Sequence, residues 1–173
     1  MRNAIAIAFL ALSASVVVEG QQTADKYLLL ATERTRTMQQ EINDAAAKGF
    51  RVVAASPGDG SEVVILLEQT TVKYEYRLLA ATRTGTLQRE ISDAAEAGYR
   101  IVDRGVAHKG DELLVLMEKG PDDGAAKAQY QVLATERTGT LQKEISQASS
   151  DGYTLVALAK RGEHIAILER GTR

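Results

Sequence analysis

Arginine, two threonines, glutamine and glutamate recur at one spacing, in the order Arg-Thr-x-Thr-(Met/Leu)-Gln-x-Glu-Ile, beginning at Arg34, Arg83 and Arg137. At the start of a helix such residues can bind a carboxylate, sulfate or phosphate: the first backbone N–H groups are unpaired, and the guanidinium adds a forked positive charge. Arg34, Thr35 and Thr37 then form one candidate anion site, Arg83, Thr84 and Thr86 a second, and Arg137, Thr138 and Thr140 a third. Gly85 and Gly139 leave two of them open, whereas Arg36 makes the first either more basic or less open. The same residues also have a purely structural reading. Thr37, Thr86 and Thr140 would cap the helices, with Glu41, Glu90 and Glu144 in the first turn, favoured by the helix dipole and paired with the arginines. On a helical wheel Glu41 falls about 60° before Met38 and Gln39 about 100° after it, so both flank the apolar stripe and touch a loop or sheet. This reading accounts for every repeated polar residue except the glutamines.

Other chemistry is thin. His108 and His164 fall in or beside hairpin loops, and a metal would need them gathered with carboxylates such as Asp111 or Glu163. Solvated loop histidines are the expectation, with no metal and no cofactor. The chain carries no nucleophile-elbow, phosphate-loop or dinucleotide fingerprint, so no catalytic residue is assigned. A non-enzymatic binding or interaction module is the reading. An anion or small-molecule binder is the alternative, and a hydrolase or metal-dependent enzyme the third. Tyr27, Tyr76 and Tyr130 open apolar runs and are expected at sheet edges with their hydroxyls near solvent. A net charge of −2 and a pI of 5.8 argue against nucleic acid as a partner. The basic residues Lys160, Arg161, Arg170 and Arg173 are mixed with glutamates and read as solvated surface.

The elements that must carry these residues begin after a distinct N-terminus. Arg2 followed by the uncharged run Ala4 to Val18 has the form of a secretory signal over residues 1–20, and it is shorter than the roughly twenty residues that span a bilayer. Cleavage is expected after Gly20, with Ala14 or Ser15 as the runner-up, and a buried helix or retained anchor as the other reading. The expected location is therefore periplasmic or secreted, with no membrane anchor once the signal is cut. There is no cysteine, so lipidation at an N-terminal cysteine and structural disulfides are excluded.

Three units follow, over 26–70, 71–120 and 128–173, with a turn-rich linker at 121–127 that gives the last unit freedom to dock. In each, an apolar run from Tyr27, Tyr76 or Tyr130 reads as a strand. A helix follows, its stripe being Met38, Ile42, Ala45, Ala46 and Gly49 in the first unit, repeated from Leu87 and Leu141. Gly49, Gly98 and Gly152 stand where a helix ends in a left-handed residue. Two strands joined by Gly-, Pro- or Asp-bearing turns complete a βαββ unit. Units this small do not bury a core alone. Both sheet faces carry apolar residues, and Leu30, Leu79, Leu133, Val53, Val102 and Val156 are expected on the face the helix leaves bare. The fold class is α+β: three tandem βαββ repeats with helices outside and the sheets sharing a pseudo-threefold core. A homo-oligomer that covers the remaining apolar surface is the alternative.

The stretches Tyr74-Glu75-Tyr76-Arg77-Leu78-Leu79, Ala97-Gly98-Tyr99-Arg100-Ile101-Val102 and Leu113 to Lys119, with their counterparts in the other units, resemble a small bacterial domain family of unknown function. That family shares the βαββ order and a Gly-aromatic helix end. Here Tyr or Phe stands where the family usually has Trp, and its pattern attaches no catalytic residue.

Overall fold

The apolar runs opening at tyrosines form strands, and the striped segments after them form helices. A computed structural model describes residues 25–58, 62–121 and 127–171. The expected signal at 1–20 and the centre of the 121–127 linker lie outside the described residues. The first unit consists of β1 (Tyr27–Thr32), α1 (Thr35–Ala47), β2 (Phe50–Pro57) and β3 (Val63–Gln69). The second consists of β4 (Glu75–Ala81), α2 (Thr84–Glu96), β5 (Arg100–Lys109) and β6 (Glu112–Lys119). The third consists of β7 (Gln129–Thr135), α3 (Thr138–Ser150), β8 (Thr154–Arg161) and β9 (Glu163–Arg170). No described helix is long and apolar enough to cross a membrane.

The fold is α+β: the described residues form three helices and three antiparallel three-stranded sheets in the orders β1-β3-β2, β4-β6-β5 and β7-β9-β8. The last strand of each unit lies in the middle, so each helix carries the chain from one sheet edge to the other. Gly49, Gly98 and Gly152 end the helices at φ of 87°, 90° and 87°, a conformation that a side chain disfavours. Strands β2 and β8 shift register by one residue, at Val53 and Val156, whereas β5 bulges over 102–105. That larger bulge delivers Val102, 4% exposed, into the core of the preceding unit.

Both sheet faces are apolar, and Val102 and Val156 lie as expected on the face their own helix leaves bare, packed with the preceding unit, whereas the first-strand leucines lie on the other face. Leu30, Leu79 and Leu133 pack with the helix of their own unit. The other face of the second sheet, Tyr76, Leu78, Leu114 and Leu116, packs against α1 and β2 of the first unit. Tyr130, Val132, Ile165 and Ile167 of the third sheet pack in the same way against α2 and β5. Where one shared core was expected, the buried residues among those described fall into three clusters, because α1 and α2 each fill the gap between their own sheet and the next, while α3 packs on its own sheet alone. Among the described residues no helix precedes the corresponding face of the first sheet, where Tyr27 is 50% and Leu29 61% exposed.

Candidate functional site

Each of the nine candidate anion-site residues lies at its own helix start. Arg34, Arg83 and Arg137 are the extended residues just before the helices, at φ between −106° and −117°, with their side chains in solvent. Their carbonyls accept the N–H of Met38, Leu87 and Leu141 at 3.0 Å. Thr35, Thr84 and Thr138 are the first helical residues, which puts Thr37, Thr86 and Thr140 inside the first turn, past the capping position. None of the three helices has a side-chain cap or a first-turn acid. The capping and arginine–glutamate pairing expected from the sequence is therefore absent among the described residues. Glu41 stands nearly two turns into α1, out of the dipole's reach. In the first and third units the approach to the helix is set by Thr32 and Thr135, whose hydroxyls accept the N–H of Arg34 and Arg137 at 3.4 Å and 3.2 Å.

The glutamines explain themselves in three dimensions. Gln39 on α1 accepts the N–H of Leu78 at 2.7 Å and donates to the carbonyl of Tyr76 at 3.2 Å. Gln88 on α2 accepts the N–H of Val132 at 2.7 Å and donates to the carbonyl of Tyr130 at 2.9 Å. The primary amide has the same donor–acceptor pair as a peptide group, so each glutamine pairs with the free edge of the next unit's first strand in place of another strand. A bond from the amide nitrogen to the residue four ahead, Asn43 or Ser92, holds each side chain in position.

Beside each clasp, a buried tyrosine hydroxyl joins three elements. Tyr76 is 5% exposed, its oxygen accepting the N–H of Val52 at 3.0 Å and its proton directed to Glu118 at 3.3 Å. Arg51 closes on the same carboxylate at 2.6 Å. Tyr130, 6% exposed, repeats this with the N–H of Ile101 at 3.0 Å and Glu169 at 2.7 Å, and Arg100 reaches Glu169 at 2.5 Å. These hydroxyls are buried, contrary to the solvent-facing edge position expected for them. Burial pushes both phenols above the ordinary tyrosine range, against the opposing effect of the backbone N–H each accepts. The hydrogen bond to Glu118 raises Arg51 further above its ordinary value. Only Tyr27 is exposed as foreseen.

The second junction has an additional tie. Arg161, in the β8–β9 hairpin, donates to the carbonyls of Ala81, Asp111 and Thr82 at 2.7–2.8 Å. Its reading as solvated surface is corrected by these bonds, since its guanidinium binds the turn just before α2.

Two concavities lie along the junctions. An open cleft of about 760 Å³ is lined by Asn43, Ala46, Tyr74, Tyr76, Tyr99 and Lys119 among others. A polar one of about 260 Å³ lies between Arg51, Arg100, Asp103, Glu118 and Glu169, where the two charged clusters meet. Its charges hold one another or the surrounding structure. His108 pairs across the hairpin with Leu113, whereas His164 pairs with Thr135 and Lys160. No group of three metal-binding side chains occurs among the described residues. Sequence reasoning missed the tyrosine–glutamate–arginine clusters. The available signal was a glutamate closing the last strand of every unit, at Glu68, Glu118 and Glu169, together with an arginine after Gly-aromatic in two of them. Comparison with protein-family models, curated proteins and solved structures finds no match.

Proposed function

We propose that the protein is an exported, non-enzymatic tandem-repeat protein of three βαββ units that acts as a binding or interaction module in the periplasm or outside the cell. The observation that carries this reading is the use of the repeated polar side chains. Gln39, Gln88, Arg51, Arg100, Tyr76 and Tyr130 join one unit to the next, which is the work of a scaffold. In this reading the units are equivalent copies, akin to the small bacterial domain they resemble, and the two junctions are two of the three that a pseudo-threefold ring would have. Export rests on Arg2 and the Ala4 to Val18 run. Fractionation followed by mass measurement tests it, with a chain starting after Gly20 expected outside the cytoplasm. Turnover of a small molecule that depended on one specific side chain would overturn the non-enzymatic reading.

One observation favours anion binding as a second reading. Arg34, Arg83 and Arg137 are exposed beside helix starts that lack side-chain caps. Replacing Arg83→Ala and measuring sulfate and phosphate binding by calorimetry, together with the melting temperature, decides it. Weaker binding at unchanged stability supports the site, whereas lost stability with unchanged binding sinks it.

A further inference from the structure

Each junction joins two different surfaces. One unit supplies a helix glutamine and the apolar residue two after its Gly-aromatic turn's glycine-following position in the second strand, Val52 or Ile101. The next unit supplies a first strand with its tyrosine and a glutamate on its central strand. With two junctions among the three described units, one surface of each kind is left without a partner surface among the described residues. The first unit keeps the tyrosine surface: Tyr27 opposite Glu68 corresponds to Tyr76 opposite Glu118 and Tyr130 opposite Glu169. The third unit keeps the glutamine surface: Leu155 opposite Leu168 corresponds to Val52 opposite Leu67 and Ile101 opposite Met117.

Exposure marks the same two places. Of the five exposed large apolar side chains among the described residues, four are Tyr27, Leu29, Leu155 and Leu158, at 50%, 61%, 51% and 65%. The counterparts of Tyr27 and Leu155 inside the chain are buried, Tyr76, Tyr130, Val52 and Ile101 being at most 6% exposed, and the counterparts of Leu29, which are Leu78 and Val132, are part-buried against the preceding unit. Gln142 is exposed on α3 and already bonded by its amide nitrogen to Ser146 at 3.2 Å, as Gln88 is to Ser92.

We propose that the two ends fit each other between molecules, so that the third unit of one copy clasps the first unit of a second copy, head to tail. The occupant is a second copy because the chain makes this same interface twice within itself and presents both halves of a third. Gln142 spans the Tyr27 carbonyl and Leu29 N–H of the neighbour, and the Tyr27 hydroxyl enters between the Leu155 N–H and Glu68. Thr154 stands where the inner junctions have Arg51 and Arg100, so Glu68 gains no arginine and the contact between copies is weaker than those within one. Such a contact is heterologous and propagates into a closed ring or an open chain. This inference deepens the interaction-module reading by naming one partner. A strictly monomeric protein would remove that partner, while the export and turnover measurements decide the wider reading separately.

Sedimentation velocity over a range of concentrations tests the proposal, using the purified protein, Leu29→Asp, Leu155→Asp and a mixture of the two variants. Both positions are exposed, so circular dichroism and melting are expected to stay as in the parent. The parent should gain mass with concentration, and each variant should weaken association by at least about a hundredfold, because either places a charge in an apolar contact. The mixture should recover a species of two chains and no larger, since one intact surface remains on each variant and the two complement. Thr154→Arg should tighten the association of the parent. A monomer at every concentration, single variants that still associate, or a mixture that fails to pair would each overturn the head-to-tail contact.

Discussion

Gln88 and Val132 are joined by a 2.7 Å hydrogen bond in which a helix side chain of one unit accepts the backbone N–H of the next unit's first strand. The relation matters because β7 is an edge strand, and an edge strand presents unpaired peptide groups that attract other chains. The amide of Gln88 pairs the Val132 N–H and the Tyr130 carbonyl together, and Gln39 does the same for β4. Apolar burial around these bonds supplies most of the stability of the junctions, and the bonds set their register.

The Tyr130 hydroxyl accepts the buried N–H of Ile101 and donates to Glu169, which also holds Arg100. Tyr130→Phe leaves the N–H without a partner and is expected to cost about 1–3 kcal/mol in urea unfolding. Glu169→Ala uncovers a mostly buried arginine and is expected to cost about 3–5 kcal/mol. Glu112→Ala, which removes only the more exposed pair with Lys109 at 3.7 Å, should cost less than about 1 kcal/mol. Equal losses for Glu169→Ala and Glu112→Ala would contradict the junction's role.

Alkaline pH gives a second test. Burial raises the proton affinity of Tyr76 and Tyr130 in the folded chain, so on unfolding they lose their protons at lower pH than they do when folded. Their contribution is complete below about pH 10, the ordinary tyrosine value, and is lost as pH rises from there toward the folded values. The melting temperature should therefore fall more steeply above about pH 10 than in the Tyr76→Phe, Tyr130→Phe double variant. Parallel curves would show that these phenols are not held neutral by the fold.

The helix ends give a third. A Cβ on Gly49, at φ of 87°, would lie 3.1 Å from the Thr70 carbonyl oxygen, whereas one on Gly85 in α2 meets nothing within 4 Å. Gly49→Ala is expected to destabilise by about 1–2 kcal/mol and Gly85→Ala to stabilise by about 0.5 kcal/mol in chemical denaturation. Losses of equal size would mean that the left-handed turn carries no special constraint.

What could be read from the sequence was what is local. The spacing of Met38, Ile42 and Ala45, the glycines after each helix and the turn residues of the hairpins are set by neighbours a few positions away, and the strands and helices formed where those patterns lie. The faces of the first strands were misassigned because Leu78 and Leu79 are equally apolar, and only the position of two helices decides which of them faces which, whereas Val102 and Val156 lie on the face expected for them. The role of the glutamines was hidden because the partner that matters is distant: Gln39 bonds a strand residue 39 positions away. Helix propensity and dipole arguments favoured threonine caps, but the chain places the arginine at that position and the threonine beyond it.

The central claim is that the repeated motif joins units, and its glutamines allow a comparison within one chain. Gln39 and Gln88 each hold a following strand, whereas Gln142 has none within its own chain among the described residues. Urea unfolding of Gln39→Ala, Gln88→Ala and Gln142→Ala at low protein concentration measures the difference directly. The account predicts losses of about 1–3 kcal/mol for the first two and less than about 0.5 kcal/mol for Gln142→Ala. Equal losses at all three positions, or none at Gln39 and Gln88, would contradict it.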